Sequence, residues 1–169
     1  MFKKKRQLNK CSYGCGCHIS QSLSIADKLR ESINGKHGEL AGLFTYMFQH
    51  FISKDEKLKD ALLEIAEDEM EHIEELSHLL VSMGEMPYFI DGNRDFYTTK
   101  WVNYENEPRL FLEQNIEAEK RAIKDYMDII ESIHDKKIIE VLLSIINDEK
   151  EHIEIFERLL ATVSGNKIN

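Results

Sequence analysis

Two copies of one arrangement restrict this chain more than anything else in it: a glutamate followed three positions later by a histidine, both in the middle of an apolar helical stripe. The first stripe steps by fours and threes through Leu58, Leu62, Ile65, Glu69, His72, Leu76, Leu79 and Met83. The second runs through Ile138, Leu142, Ile145, Glu149, His152, Phe156, Leu159 and Val163. Residues three and four apart share a helix face, and stripes of this kind are the buried seams of helical bundles. A carboxylate placed there is costly unless it is neutralised, paired or bound to metal. Meeting that cost twice argues for metal.

The 169 residues suffice for one hydrophobic core. Two prolines, eight glycines and 31% charged residues describe a largely helical soluble protein. A net charge of -9 argues against nucleic acid as a partner. No segment approaches the roughly 20 apolar residues that span a bilayer, so no membrane partner is expected. The basic start, Met1-Phe2-Lys3-Lys4-Lys5-Arg6, is not followed by an apolar signal core, and the expected location is cytoplasmic.

Residues 1–24 read as a flexible tail carrying Cys11, Cys15, Cys17 and His18. These offer four soft ligands for a separate zinc or iron site. Their spacing is crowded and lacks the second Cys-x2-Cys of a rubredoxin-type centre, so the alternative is a tail of reduced thiols. Residues 25–165 read as the folded bundle. A first helix is predicted over 25–52, with Gly35 and Gly38 weakening its middle without ending it. Ser53 and Glu56 form a capping box for a second helix that runs to Met83 and stops at Gly84. So short a connection makes an antiparallel hairpin. Residues 85–107 form a long crossover whose aromatics, Phe96, Tyr97, Trp101 and Tyr104, pack it onto the bundle. Pro108 opens a third helix, to about Ile133; His134-Asp135 is a second short turn, and the fourth helix continues to about Val163. Residues 166–169 are a C-terminal tail.

Sliding the chain by eighty positions aligns its halves: Glu39 falls on Glu119, Tyr46 on Tyr126, Asp68 on Asp148, Glu69 on Glu149 and His72 on His152. Two hairpins facing each other across a pseudo-two-fold axis would bring Glu39, Glu69, His72, Glu119, Glu149 and His152 to one point.

That constellation resembles the ferritin-like di-metal carboxylate superfamily, in which two helices each give one Glu and two others each give a Glu-x-x-His. Glu39-x2-Gly42-x3-Tyr46 and Glu119-x2-Ala122-x3-Tyr126 are similar to the Glu helices of its rubrerythrin and bacterioferritin branch. Met83-Gly84-Glu85-Met86-Pro87 resembles the segment closing that branch's second helix. The fold implied is all-α, a ferritin-like four-helix bundle of two antiparallel hairpins joined by a long crossover. The resemblance implies bridging roles for Glu69 and Glu149 and terminal ones for Glu39 and Glu119. It also has Asp68 and Asp148 each reaching the other half's histidine. Tyr46 and Tyr126 are candidates to hydrogen-bond the site or supply an electron, with core packing as the alternative. Ala122 stands where rubrerythrins usually carry an extra carboxylate, which favours the symmetric six-ligand set. Met70 aligns with the haem methionine of bacterioferritin but reads as an edge or dimer contact, and haem is not expected.

Four carboxylates and two neutral imidazoles balance two divalent ions, and oxygen-rich ligation with one His per metal suits iron or manganese. The expected cofactors are two Fe ions (or Mn). The expected activity is that of a ferroxidase or peroxide-reducing oxidoreductase, oxidising Fe(II) or reducing hydrogen peroxide or O2 with an external electron donor, in a homodimer. The alternatives are iron storage and a manganese catalase-like dismutation of peroxide, which needs no donor.

Overall fold

A computed structural model describes residues 24–165; Cys11, Cys15, Cys17, His18 and residues 166–169 lie outside the described residues. Five α-helices occur among them: α1 (Ile25–Asn34), α2 (Glu39–Ile52), α3 (Glu56–Ser82), α4 (Pro108–Ile130) and α5 (Lys136–Gly165). Helices α2 and α3 form one hairpin and α4 and α5 the other, and α3 packs on α5. None of the described helices is long and apolar enough to cross a membrane.

The predicted single helix over 25–52 is two helices. The chain reverses at Gly35–Gly38, and α1 packs on α2, α3 and α4. The physical cause is close backbone approach: a Cβ on Gly38 would lie 2.4 Å from the carbonyl oxygen of Ser32. Helix α3 also starts differently from the predicted capping box. Asp55 is its N-cap, accepting from the Leu58 amide at 2.9 Å, while the Ser53 hydroxyl turns back to the Gln49 carbonyl at 2.6 Å and closes α2. Pro108 does begin α4, with the Glu107 carboxylate accepting from the Leu110 amide at 2.9 Å.

The seams are buried along most of their length, but Met83 at the end of the first is 39% exposed. Two apolar cores result. One, around Leu29, Ile33, Leu76, Leu80, Leu142 and Ile145, is shared by α1 and one end of the bundle. The other, around Leu58, Leu62, Phe111, Leu112 and Phe156, fills the opposite end. Between them lies the charged layer.

The crossover is tied down mainly by polar contacts. The buried Arg30 guanidinium binds Asp27 and Glu85, and Asp27 also binds Arg94 at 2.9 Å. Asn34 donates to the Ile90 carbonyl at 2.9 Å, and the Gly92 amide donates to Glu31 at 3.0 Å. Of the aromatics expected to pack it down, Tyr97 meets Phe44 and Tyr104 meets Phe48, with ring centroids 5.9 and 5.1 Å apart. Phe96 does not take part and is 82% exposed.

Candidate metal centre

The charged layer is built from one turn each of four helices. Helix α2 begins at Glu39, α4 places Glu119 mid-length, α3 supplies Glu69 and His72, and α5 supplies Glu149 and His152. All six are buried. Their potential ligand atoms fall into two overlapping sets, within each of which every pair lies within 4.8 Å. Glu39, Glu69, His72 and Glu149 form one set, and Glu69, Glu119, Glu149 and His152 the other. Glu69 and Glu149 are common to both, so the arrangement has two foci with one private carboxylate and one imidazole each.

The imidazoles are oriented across the pseudo-two-fold axis. His72 Nε2 lies 3.4 Å from Asp148, and His152 Nε2 lies 3.2 Å from Asp68. With Nε2–H donating to a carboxylate, the neutral ring leaves its Nδ1 lone pair pointing inward, the state a metal ligand requires. The tyrosines cross over as well: Tyr46 donates to Glu119 and Tyr126 to Glu39, each to the opposite hairpin.

The electrostatics are those of a cation site. Burial, then the charges of Glu39 and Glu149, push the Glu69 carboxyl well above the usual range; burial and Glu149 do the same to Glu119. Burial opposes ionisation of Glu149 too, but the two imidazoles override it and hold it down at about 2. Burial likewise opposes charge on His72, yet Glu149 and Glu39 raise it to about 11. The layer therefore favours added positive charge, whether a proton or a cation. Of four buried side-chain atoms without a hydrogen-bond partner among the described residues, two are in this layer, His72 Nδ1 and Glu149 Oε1, which face each other at 3.5 Å. Orphaned buried polar atoms are rare. Oxygen-rich donors with one imidazole per focus fit two hard or borderline divalent ions.

A cavity of about 530 Å3 between α2 and α4 reaches this layer at Glu39, Glu69, Glu119 and Tyr46, with Trp101 and Asn103 of the crossover on its wall. Trp101 thus borders the approach to the centre, a role its sequence does not mark. Also unmarked is a buried amide pair one turn away, Gln49 and Asn115, joined by hydrogen bonds of 3.2 and 2.7 Å. Gln49, and not its neighbour His50, faces the interior; His50 Nδ1 lies 2.8 Å from the Lys59 carbonyl and so carries the proton there. The signal available for the pair was position alone, since Gln49 is three residues past Tyr46 and Asn115 four before Glu119. Met70 is 57% exposed and turned away from the cluster.

Residues 1–89 match a family model described as manganese containing catalase. A probable manganese catalase of Clostridium acetobutylicum is 25% identical over all of this chain and 84% of its own length. A manganese catalase of Lactiplantibacillus plantarum is 36% identical over 47% of this chain and 29% of its own length. Among solved structures, a manganese catalase from Anabaena superposes with a TM-score of 0.77 at 24% identity, covering 97% of this chain and 81% of that one. A dodecameric thioferritin from Bacteroides fragilis gives 0.70 at 18% identity, covering 85% and 88%. The fold is that of the ferritin-like helical bundles.

Proposed function

Because this chain belongs to the manganese-containing catalase family, we propose that it dismutates hydrogen peroxide at a dinuclear manganese centre. Two peroxide molecules give two waters and one O2, and no external electron donor is consumed. The carrying observation is the pair of overlapping four-residue sets sharing Glu69 and Glu149. Family membership moves the reading from the di-iron oxidoreductase expected from sequence to the manganese alternative. The donor set itself accepts either metal.

In this reading Glu39 and His72 hold one ion, Glu119 and His152 hold the other, and Glu69 and Glu149 are shared. The metal pair supplies a two-electron couple that can be both oxidised and reduced by peroxide. The chain's own residues set the conditions for it. Asp68 and Asp148 keep each imidazole in the tautomer that presents Nδ1. Tyr46 and Tyr126 pin the private carboxylates, and burial keeps the Tyr46 hydroxyl protonated by raising it well above its usual value, as does the adjacent Glu119. The apolar cores on both sides limit water, which strengthens each of these contacts. The cavity between α2 and α4 admits a molecule of peroxide size.

The test is to strip the protein of metal, reload it with Mn(II) or Fe(II), and record O2 release on adding peroxide without reductant. Manganese-loaded protein holding two ions per chain should release one O2 for every two peroxides. Peroxide consumed without O2, and only by iron-loaded protein, would return the assignment to a di-iron peroxide reductase or ferroxidase.

A further inference from the structure

Hydrogen peroxide needs little room, yet the cavity between α2 and α4 measures about 530 Å3. A water molecule takes about 30 Å3 of the liquid, whereas sites for organic ligands run from about 300 to 1,000 Å3. The floor of the cavity is the charged layer, reached at Glu39, Glu69 and Glu119, all buried. Above it the helix walls are low, with Gly42 on α2 and Ala118 and Ala122 on α4. Trp101 of the crossover adds an aromatic ring of the kind on which organic ligands pack. That wall is fastened to both helices. The Asn103 backbone amide donates to the Thr45 hydroxyl of α2 at 3.0 Å, and its side-chain amide donates to Gln114 of α4 at 2.7 Å. The Lys100 ammonium lies 4.2 Å from the centroid of the Trp101 ring and holds it by a cation–π contact. Fastened on both sides, the crossover bridges the space instead of collapsing into it.

We propose that this cavity takes a second substrate class, small neutral organic hydroperoxides, with Trp101 against the organic group and the hydroperoxide end at the floor. An anionic substrate would bring like charge to a floor of carboxylates, so the molecule that fits is neutral. This inference rests on the di-manganese reading above and extends it to a mixed reaction, ROOH + H2O2 → ROH + H2O + O2. The O–O bond of the organic hydroperoxide breaks, taking up two electrons and two protons and leaving an alcohol and water. Hydrogen peroxide gives up two electrons and two protons as it becomes O2, so no further donor is consumed. Trp101 decides which organic groups fit, and dismutation of hydrogen peroxide alone does not call on it.

The experiment uses manganese-loaded full chain, with cumene hydroperoxide as substrate and its product, cumyl alcohol, as an unreactive probe. Trp101 is the chain's single tryptophan, so its fluorescence reports occupancy of the cavity directly. Cumyl alcohol should shift or quench that emission saturably. Cumene hydroperoxide should turn over to cumyl alcohol only when hydrogen peroxide accompanies it, with no other reductant present. Ala118→Leu narrows the cavity and should weaken the fluorescence titration. It should also lower kcat/KM for cumene hydroperoxide relative to hydrogen peroxide by about ten- to two-hundredfold, the scale of one misfitting methylene. An emission that does not respond to cumyl alcohol would overturn the proposal, as would no alcohol formed beyond a single equivalent. Equal loss of both activities in Ala118→Leu would overturn it too, because the cavity would then not discriminate between them. The wild-type titration and turnover decide the matter even if Ala118→Leu does not fold. No O2 from hydrogen peroxide alone, or fewer than two Mn per chain, would sink the di-manganese reading and this proposal with it, whereas failure with the organic substrate alone leaves that reading standing.

Discussion

Asp68 and Asp148 stand near the surface, with side chains 45% and 47% exposed, yet each fixes a buried imidazole of the opposite hairpin. Asp68→Asn or Asp148→Asn should keep the fold and weaken Mn(II) binding by about ten- to hundredfold, as read by competition with a chelator; unchanged affinity would remove these residues from the site. Protons at the same place give a second expectation. The carboxylates of Glu149 and Glu39, 3.5 and 3.7 Å from its Nδ1, hold His72 at about 11 against the effect of burial, and burial with neighbouring charge raises Glu69 and Glu119. These groups hold protons to higher pH in the metal-free protein than free side chains do, whereas ligands must be deprotonated. Loading with Mn(II) should therefore release protons into weakly buffered solution, and affinity should fall as pH falls. A pH-independent affinity with no proton release would mean that the metal binds elsewhere.

At the scale of elements, the contact between α2 and α4 includes, beside the two tyrosine–glutamate bonds, the Gln49–Asn115 pair, whose members are 0% and 2% exposed. Asn115→Ala should cost about 1–3 kcal/mol, because it leaves a buried amide unpaired. The double change Gln49→Leu with Asn115→Leu should be far closer to neutral, since it removes both partners at once. Denaturant unfolding of the three proteins checks this; a double variant as damaged as the single one would mean that the pair's geometry matters beyond its hydrogen bonds. This pair also shows where sequence reasoning stops. The seams were legible because Glu69, His72, Glu149 and His152 interrupt apolar rows at helical spacing, and the repeat then located Glu39 and Glu119. The same repeat hides the amide pair, since Gln49 aligns with Ile129 and Asn115 with Gly35. The break between α1 and α2 was hidden for another reason. Glycines at 35 and 38 weaken a helix by propensity alone, and only the approach of the Ser32 carbonyl to Gly38 makes the reversal.

Taken whole, the molecule is two apolar cores separated by a layer in which four carboxylates outnumber two imidazoles, so the stability of the bundle should follow the metal. Ions that bind only the folded state stabilise it by about 4 kcal/mol at a thousandfold excess over Kd. For a chain of this size each kcal/mol moves Tm by about 2–4 °C. Mn(II) should therefore raise Tm by roughly 8–16 °C for each such site, and chelation should reverse it. The metal-free protein carries the complementary sign. A carboxyl raised in the folded state, as Glu69 is by burial and by Glu39 and Glu149, favours folding most below its unfolded value of about 4.3 and loses that contribution as pH rises towards its folded value. At neutral pH the ionised form is a net cost in the absence of metal. Glu69→Gln removes that cost and one shared ligand together. It should raise Tm of the metal-free protein and abolish most of the rise that Mn(II) produces. Thermal scans of the two proteins with and without Mn(II) separate the contributions. If Glu69→Gln lowered the metal-free Tm, Glu69 would be holding the bundle together through its own hydrogen bonds, and the charged layer would be a structural network independent of metal.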